Sequence, residues 1–503
     1  MQSAGESTTA LKPHELRGPP LRRAMSTVTL AWFFGAIWMS ATSGTPPTNY
    51  AKALGASNFQ FGVLSALPFI ASFLTIPGTL LMEATGKRRL IFFISLFFQR
   101  LMWIPIALVP LWIYKTQGNA GKALAANAFL ALIFLMQCGQ SFGGMGFIGW
   151  MSDLVPPGIR GSYFSRRRQW SLLSSIPAAW GAGWLLDHFA LTSNSDVLLK
   201  WCSIVFLGAC FFGVLDIVIF LWVPDIVTPP KKGNELMRSW TEPLRNRNFL
   251  WFAGFTAAYV FAVAPMGQFA TLFILNQLGT DGKAAGSNQI TQLMLIVAPA
   301  AAQLPFLGIW GKALDRMGKR PVLILAGLGL VPVAIGWCFV TREAIWLGYV
   351  VSALGGVLWA GVDIANFNIV LEFSGSAARN GTRGGTAYAA ANSVIVSIAG
   401  MFGGLTFGAL ADWMKDLNLS VPLMGKFTFF HVLFLASAVL RLLAVVVFLP
   451  AMHEPEARPT VEALRYMTSN IYNNLFAAMM QPLRMVGIGK DDDGAPSETM
   501  KDE

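Results

Sequence analysis

The chain alternates between long apolar stretches and short polar connections from residue 24 to residue 449. A helix needs about 20 mostly apolar residues to cross a bilayer. Twelve stretches of about this length lie near 24–44, 59–82, 90–114, 124–150, 169–186, 199–223, 249–276, 288–310, 321–341, 344–371, 384–411 and 427–449. The pattern predicts an all-α membrane protein with twelve transmembrane helices.

The polar segments divide these spans into two groups of six. The longest internal one, from Pro224 to Arg247, separates the sixth span from the seventh. We expect a cytoplasmic N-terminal segment (1–23), a first six-helix bundle (24–223), a linker (224–248), a second bundle (249–449) and a tail (450–503). Apolar residues recur in the tail at helical spacing, which predicts an amphipathic helix there: Val461, Leu464, Ile471, Leu475 and Met479.

Composition agrees with a membrane protein, since 54% of the residues are hydrophobic and 13% are charged, against about 25% charged in an average soluble domain. The net charge of +11 is unevenly distributed. The N-terminus and the loops after even-numbered spans carry 22 Lys and Arg residues, before the C-terminal tail is counted, and the other loops carry 8. The positive-inside rule therefore predicts cytoplasmic termini in a bacterial inner membrane. Because topology accounts for the charge, no nucleic-acid partner is expected.

The two halves repeat several motifs. An acid-x-x-Gly-Lys-Arg pattern occurs at Glu83–Arg88 and, 232 positions later, at Asp315–Arg320. A Gly-x-x-x-Asp pattern ends the fifth span at Gly183–Asp187 and the eleventh at Gly408–Asp412. Asp153 precedes Arg160 by seven positions, as Glu372 precedes Arg379. Such ordered matches indicate duplicated six-helix halves, an organisation found in alternating-access transporters.

The segment Gly311–Arg320 resembles the cytoplasmic signature of the major facilitator superfamily, Gly-x-x-x-Asp-Arg-x-Gly-Arg/Lys-Arg. The copy at Gly78–Arg89 is degraded, and Glu83 replaces the aspartate. The segment Trp150–Pro156 is similar to a loop in uncharacterised bacterial members. The resemblance implies two pseudo-symmetric bundles that transport by a rocker-switch mechanism.

The same resemblance implies that the basic loops act as a cytoplasmic gate, whose contacts form in one state and break in the other. The alternative is that these residues only anchor the topology. The gate candidates are Glu83, Gly86, Lys87, Arg88, Asp153, Arg160, Asp315, Arg316, Gly318, Lys319, Arg320, Glu372 and Arg379.

Ionisable residues inside spans are few and costly, at about 2.5–3.5 kcal/mol each at the centre of an inserting helix. Arg100 and Asp216 lie at similar depths in the third and sixth spans, which favours a structural ion pair. Asp363 and Arg441 form a second candidate pair in the other half. Asp363 is also the candidate for proton coupling; the alternative is that Arg441 holds it permanently ionised in a structural pair.

In the family that the chain resembles, the first, fourth, seventh and tenth helices line the cavity. Amides beside tryptophans suit a polyhydroxylated neutral solute, because rings stack on sugar faces and amides both donate and accept hydrogen bonds. The alternative is that these side chains hold helices together or face lipid. The candidate substrate-binding residues are Trp32, Trp38, Gln137, Gln140, Gln268, Gln289, Gln292, Trp359, Asp363 and Asn366.

We therefore predict a transporter of a small solute, sugar-like or nucleoside-like, with protons or sodium as candidate coupling ions. Its expected partners are the lipid bilayer and this solute, and we expect a monomer. The alternatives are efflux of hydrophobic compounds and a non-transporting receptor or assembly factor. The sequence has no Walker loop and no Gly-x-Ser-x-Gly elbow, since its one match to that pattern, Gly139–Gly143, lies inside a predicted span and not at a strand-to-helix turn. No enzyme activity is therefore expected. The four cysteines lie in predicted spans without metal-ligand spacing, so we expect neither a metal nor a cofactor.

Overall fold

The computed structural model describes residues 16–156, 160–189, 195–225, 243–278, 287–379, 385–421, 425–454 and 457–465. Within these residues, nine α-helices precede the linker: α1 (Gly18–Ala41), α2 (Thr45–Ala53), α3 (Asn58–Ser72), α4 (Thr75–Thr85), α5 (Arg88–Leu101), α6 (Trp103–Gln117), α7 (Lys122–Leu154), α8 (Arg160–Phe189) and α9 (Ser195–Ile219). Eight more described α-helices follow it: α10 (Arg247–Val263), α11 (Gly267–Gln277), α12 (Asn288–Gln292), α13 (Ala298–Met317), α14 (Lys319–Gly336), α15 (Ile345–Arg379), α16 (Gly385–Trp413) and α17 (Phe429–Phe448).

Each predicted span coincides with one helix or with two or three consecutive helical segments. Ten stretches of the described chain are long and apolar enough to cross a membrane, and one of them, Arg88–Phe147, contains two predicted spans. Helix α8 covers the fifth prediction, but the arginines in its first turns reduce its hydropathy. This arrangement is consistent with twelve membrane-spanning helices.

Three local features differ from the prediction. Helix α1 begins at Gly18, earlier than expected, because Pro19 and Pro20 occupy first-turn positions that need no amide hydrogen. The eighth span contains a π-helical turn at Leu293–Val297. A short antiparallel hairpin, β1 (Asn418–Val421) and β2 (Gly425–Thr428), joins α16 to α17. The sequence predicted no strand, because the alternation of Leu419 and Val421 with polar residues is only four residues long, at the lower limit for a strand.

Large apolar side chains cover the outside of the helices. Ile94 is 58% exposed, and Phe211 and Trp346 are each 65% exposed. Side chains of this kind are normally buried in a soluble protein. Their outward position is the one expected of a lipid-facing surface.

Helix direction defines two ends of the molecule. The turns Lys87–Arg88 and Lys319–Arg320 lie at one end, which we call the basic end. Helices α8 and α16 run away from it and finish near Asp187 and Asp412, which mark the aspartate end. Several sequence predictions fall outside the described residues: residues 1–15, most of the linker (226–242) and the tail after 465.

The two halves pack mainly through two helix pairs, α3 with α16 and α8 with α12. Glycine permits the first of these contacts. A Cβ atom added to Gly62 would lie 2.5 Å from the Cα of Gly408. Small residues let membrane helices approach closely, and the association of helices in lipid depends on such packing.

Candidate functional site

A buried ion pair joins α5 to α9 in the first half. Arg100 Nη2 lies 2.9 Å from Asp216 Oδ2, and the residues are 4% and 1% exposed. The guanidinium also stacks on the Trp38 ring, 3.6 Å from its centroid, and donates to the side chain of Gln99. The two charges meet as expected; their purely structural role stays a prediction.

Two glycines make room for this pair. A Cβ atom on Gly35 of α1 would lie 2.7 Å from Asp216 Oδ2. A Cβ atom on Gly213 of α9 would lie 2.6 Å from Arg100 Cδ. A side chain at either position would displace the charged groups. The ion pair therefore depends on glycine at both positions.

Arginines cover the two tryptophans of α1. Arg167 places its guanidinium 4.7 Å from the Trp32 ring and also contacts Phe147 and Phe164, at 5.1 and 4.9 Å. Trp32 stacks on Phe147 as well, with 5.9 Å between ring centroids. Arg100 occupies a face of Trp38 in the same way. Sequence reasoning missed these arginine contacts, since it counted Arg167 only as a topology signal.

A first cavity, of about 350 Å³, lies in the N-terminal half. Gln137 and Gln140 line it, as do Trp32 and Trp38. The four predicted residues of this half therefore lie together, although both tryptophans are engaged by arginine.

A second cavity, of about 630 Å³, lies between the halves and mainly within the C-terminal one. Gln268, Trp359 and Asp363 line it, as the sequence predicted, and Gln268 also accepts a hydrogen bond from Thr48 Oγ1 across the halves at 3.0 Å. Arg168 enters this cavity too, and its Nη2 donates to Gln303 Oε1 at 3.1 Å. The hydropathy pattern had placed Arg168 in a loop.

Arg441 lines the same cavity but forms no ion pair with Asp363, so the second expected pair is absent. Its Nη1 donates to the backbone oxygen of Leu330 at 3.1 Å, and its Nη2 contacts Met266 Sδ at 3.2 Å. The residue is 4% exposed, and its Nε has no hydrogen-bond partner in the part of the chain that the structure describes. Asp363 is exposed toward the cavity. Asp363 and Arg441 do lie at similar depths along their helices, as predicted. Depth alone, however, does not determine the direction in which a side chain points.

Three predicted binding residues lie elsewhere. Gln289 and Gln292 belong to α12 at the aspartate end, where Gln292 Nε2 donates to the Ser43 backbone oxygen at 3.2 Å. Asn366 does not line either cavity, and its Oδ1 has no hydrogen-bond partner among the described residues. The Gln292 amide bonds to the turn between α1 and α2 in the other half, whereas Gln289 uses its backbone amide, which donates to Asp187.

Reciprocal helix caps join the halves at the aspartate end. Asp187 of the first half accepts from the backbone amides of Asn288 (2.8 Å) and Gln289 (2.9 Å) in the second. Asp412 of the second half accepts from those of Asn58 (3.0 Å) and Phe59 (2.9 Å) in the first. A carboxylate at a helix N-terminus satisfies free amides and the helix dipole together. Each half therefore caps one helix of the other half.

Glycines of the Gly-x-x-x-Asp motifs allow these caps to form. A Cβ atom on Gly183 would lie 2.7 Å from Gln289 Cα, and one on Gly408 would lie 2.8 Å from Gly62 Cα. The sequence contained this signal, since both motifs were recognised as repeats. What they contact required the tertiary structure.

Predicted gate residues at the basic end make contacts within one half. Lys319 Nζ lies 2.6 Å from Glu372 Oε2, and both residues belong to the second half. Glu454 caps α14 by accepting from the amides of Lys319 (3.0 Å) and Arg320 (2.7 Å). Asp315 is exposed and has no hydrogen-bond partner in the described part of the chain.

The remaining gate candidates have local roles or are not described. Gly86 and Gly318 end their helices with φ of 68° and 96°, a conformation that favours glycine. The amide of Lys87 donates to Thr85 Oγ1 at 3.4 Å. Arg88 and Arg316 both interact with other groups. The side chains of Glu83, Asp153, Arg160 and Arg379 lie outside the described residues.

Membrane-length helices, an interior cavity and an apolar outer surface are the features of a multi-pass membrane transporter. The family model of the Major Facilitator Superfamily matches residues 27–404. The chain belongs to this superfamily, as the signature at Gly311–Arg320 predicted. No curated protein sequence matches it.

Solved structures with the same fold include three transporters of low sequence identity. A crystal structure of a mutant of the nucleoside transporter NupG is 12% identical, with a TM-score of 0.61, and covers 86% of this chain and 100% of its own. A D-xylose-proton symporter is 16% identical, with a TM-score of 0.59 and coverage of 87% and 98%. A POT family transporter in complex with 5-aminolevulinic acid is 11% identical, with a TM-score of 0.60 and coverage of 86% and 97%. These three proteins bind different solutes, so the fold does not select a substrate.

Proposed function

We propose that this protein is a secondary transporter that moves a small polar solute by rocker-switch alternating access. The reciprocal caps at the aspartate end carry this proposal. They join the two halves there, whereas Lys319 at the basic end bonds to Glu372 of its own half. In an alternating-access cycle, contacts between the halves at one end form in one state and break in the other.

The caps have the properties required of a reversible gate. Both carboxylates accept hydrogen bonds from backbone amides, and Asp187 also accepts from the side chains of Ser287 and Asn288. Each cap can therefore break without leaving an unpaired buried charge once water enters. The positive-inside distribution assigns the basic end to the cytoplasm. The state would then face inward, and opening of the caps would expose the cavity to the other side.

Distance measurements between the halves test this proposal without a substrate. Cysteines for spin labels replace Lys115 in the first half and Glu343 in the second, both exposed at the aspartate end. Cys138, the least buried native cysteine, is replaced by alanine. In the Asp187→Ala/Asp412→Ala variant, we expect a population with a longer distance. Loss of each cap costs about 1 kcal/mol, so both together shift the equilibrium roughly thirtyfold.

The control is Asp416→Ala, which removes an exposed aspartate at the same end. It should leave the distance distribution unchanged. A single, unchanged distance in lipid for the wild type and the double variant alike would contradict alternating access. Equal broadening in the Asp416→Ala control would show that charge loss, and not loss of a cap, causes the change.

Within this proposal, Asp363 is the candidate proton carrier because it lies in the cavity without a hydrogen-bonded partner in the described chain. The neutral sugar-like or nucleoside-like solute rests on the amides Gln137, Gln140 and Gln268, which do line the cavities. The open cavity volume disfavours a receptor without transport. Efflux of hydrophobic compounds is less favoured, because charged side chains also line the cavities: Arg100, Arg168, Asp216, Asp363 and Arg441.

A further inference from the structure

Arg441 is a buried cation that forms no ion pair within the described residues. It is 4% exposed, its hydrogen bonds there go to a backbone oxygen and a thioether, and its Nε has no partner among the described residues. A charged side chain in the membrane interior normally pairs with an opposite charge or faces a water-filled path. Arg441 does the second, since it lines the cavity of about 630 Å³.

The charges around this cavity do not balance. Two cationic side chains line it, Arg168 and Arg441, and one anionic side chain, Asp363. None of the three forms an ion pair with another in the described structure: Arg168 bonds to Gln303, and Arg441 to Leu330. The formal charge is therefore +1. A solute with one negative charge would neutralise it.

The internal repeat shows that this imbalance is particular to the second half. Arg441 follows Asp216 by 225 positions, the same offset that separates Asp187 from Asp412. Leu330 follows Arg100 by 230 positions, the offset that separates Asn58 from Asn288. The second half thus has a cation, Arg441, at the position equivalent to the anion Asp216. At the position equivalent to Arg100 it has Leu330, whose backbone oxygen accepts a hydrogen bond from Arg441.

We propose that Arg441 binds an oxyanion group, a carboxylate or a phosphate, of the transported solute. The planar guanidinium offers a fork of donors that fits either group. In Arg441, Nε is the donor that has no hydrogen-bond partner among the described residues. Trp359 and Gln268 line the same cavity and can contact the uncharged part of the solute. A cavity of this size suits a small organic molecule. This inference rests on the proposed transport function and replaces the expectation of a neutral solute.

Thermal unfolding of the purified full chain in detergent tests it with three matched pairs of solutes. The pairs are lactate and lactamide, glucuronate and glucose, and uridine monophosphate and uridine, all at equal ionic strength adjusted with sodium chloride. Binding to the native state raises the unfolding midpoint. We expect at least one charged member to do so, and its neutral partner not. Glucuronate or lactate would identify a carboxylate site, and uridine monophosphate a phosphate site.

Variants then connect the shift to Arg441. In Arg441→Gln we expect the apparent affinity for the charged solute to fall about tenfold to a hundredfold, as for loss of a charged hydrogen-bond partner. Arg458→Gln removes an arginine that lies outside the cavity, on the segment after α17, and should bind like the wild type. If Arg441→Gln does not fold, Leu330→Asp replaces it. That change retains Arg441 but offers it a carboxylate, so the solute should no longer bind.

Three results would overturn the proposal: equal stabilisation by charged and neutral members, a charged-solute shift that survives both cavity variants, or no shift with any charged solute. None of these would affect the spin-label test of alternating access, which uses no solute. Failure of the oxyanion site and failure of the transport mechanism are therefore distinguishable.

Discussion

The two halves treat a buried arginine in different ways. In the first half, Arg100 meets Asp216 at 2.9 Å, and Gly35 and Gly213 leave space for the contact. In the second half, Arg441 has a backbone oxygen as its partner and opens onto a cavity. A paired charge inside a bundle holds helices together, whereas an unpaired one remains available to a ligand. Under the oxyanion proposal, the buried charges of the first half serve structure and Arg441 of the second half serves recognition.

Removal of either member of the first pair should have the largest effect. Arg100→Leu or Asp216→Leu leaves one buried charge uncompensated, which costs on the order of 3–5 kcal/mol, while the double variant should be close to neutral. Arg441→Leu should cost far less than either single change, because it leaves no charge behind. A double-mutant cycle of unfolding free energies measures the coupling. Additive losses in the first half, or an equally large loss for Arg441→Leu, would remove the distinction between the halves.

An intermediate effect is expected from the glycine beside Arg100. Gly213→Ala would place a Cβ atom 2.6 Å from Arg100 Cδ and 2.8 Å from the Trp38 ring. Overpacking of this kind costs about 1–3 kcal/mol. Gly181→Ala is the matched control, since nothing lies within 4 Å of its added Cβ atom. If the unfolding midpoint fell equally in both variants, Gly213 would contribute helix flexibility and not space beside the Arg100–Asp216 pair.

The smallest effect on stability is expected at Asp363. Asp363→Asn alters an exposed carboxylate that has no bonded partner in the described chain, so its unfolding free energy should change by less than about 0.5 kcal/mol. Asp216→Asn, the same change at the paired acid, should cost several times more. If Asp363 carries protons, its variant should also lose accumulation against a gradient and retain counterflow exchange in proteoliposomes. Unchanged accumulation would remove Asp363 from coupling.

Much of the fold could be predicted from the chain. Apolar stretches of about 20 residues specified the membrane helices, because only a helix satisfies its own backbone hydrogen bonds in lipid. The repeats at Glu83–Arg88 and Asp315–Arg320 identified the two halves and the family. Equal depth along two helices was sufficient to predict the contact between Arg100 and Asp216.

The roles of side chains around the cavity required the tertiary structure. Periodicity gives the depth of a residue in the membrane, but the rotation and packing of neighbouring helices decide what it faces. The same reasoning from depth therefore succeeded for Asp216 and failed for Asp363, which does not meet Arg441. Trp32 and Trp38 lie in the predicted cavity, yet arginines from other helices cover their rings.

Local sequence by itself determined which segments are helices and where each can end, since hydropathy, proline and glycine act within a few residues. Asp187 and Asp412 show what it left open. Each ends a helix in a recognisable Gly-x-x-x-Asp motif, but the amides that it caps lie 101 to 102 and 353 to 354 positions away. Only the arrangement of the two halves brings these groups together, because a cap between halves depends on their relative position and not on either sequence alone.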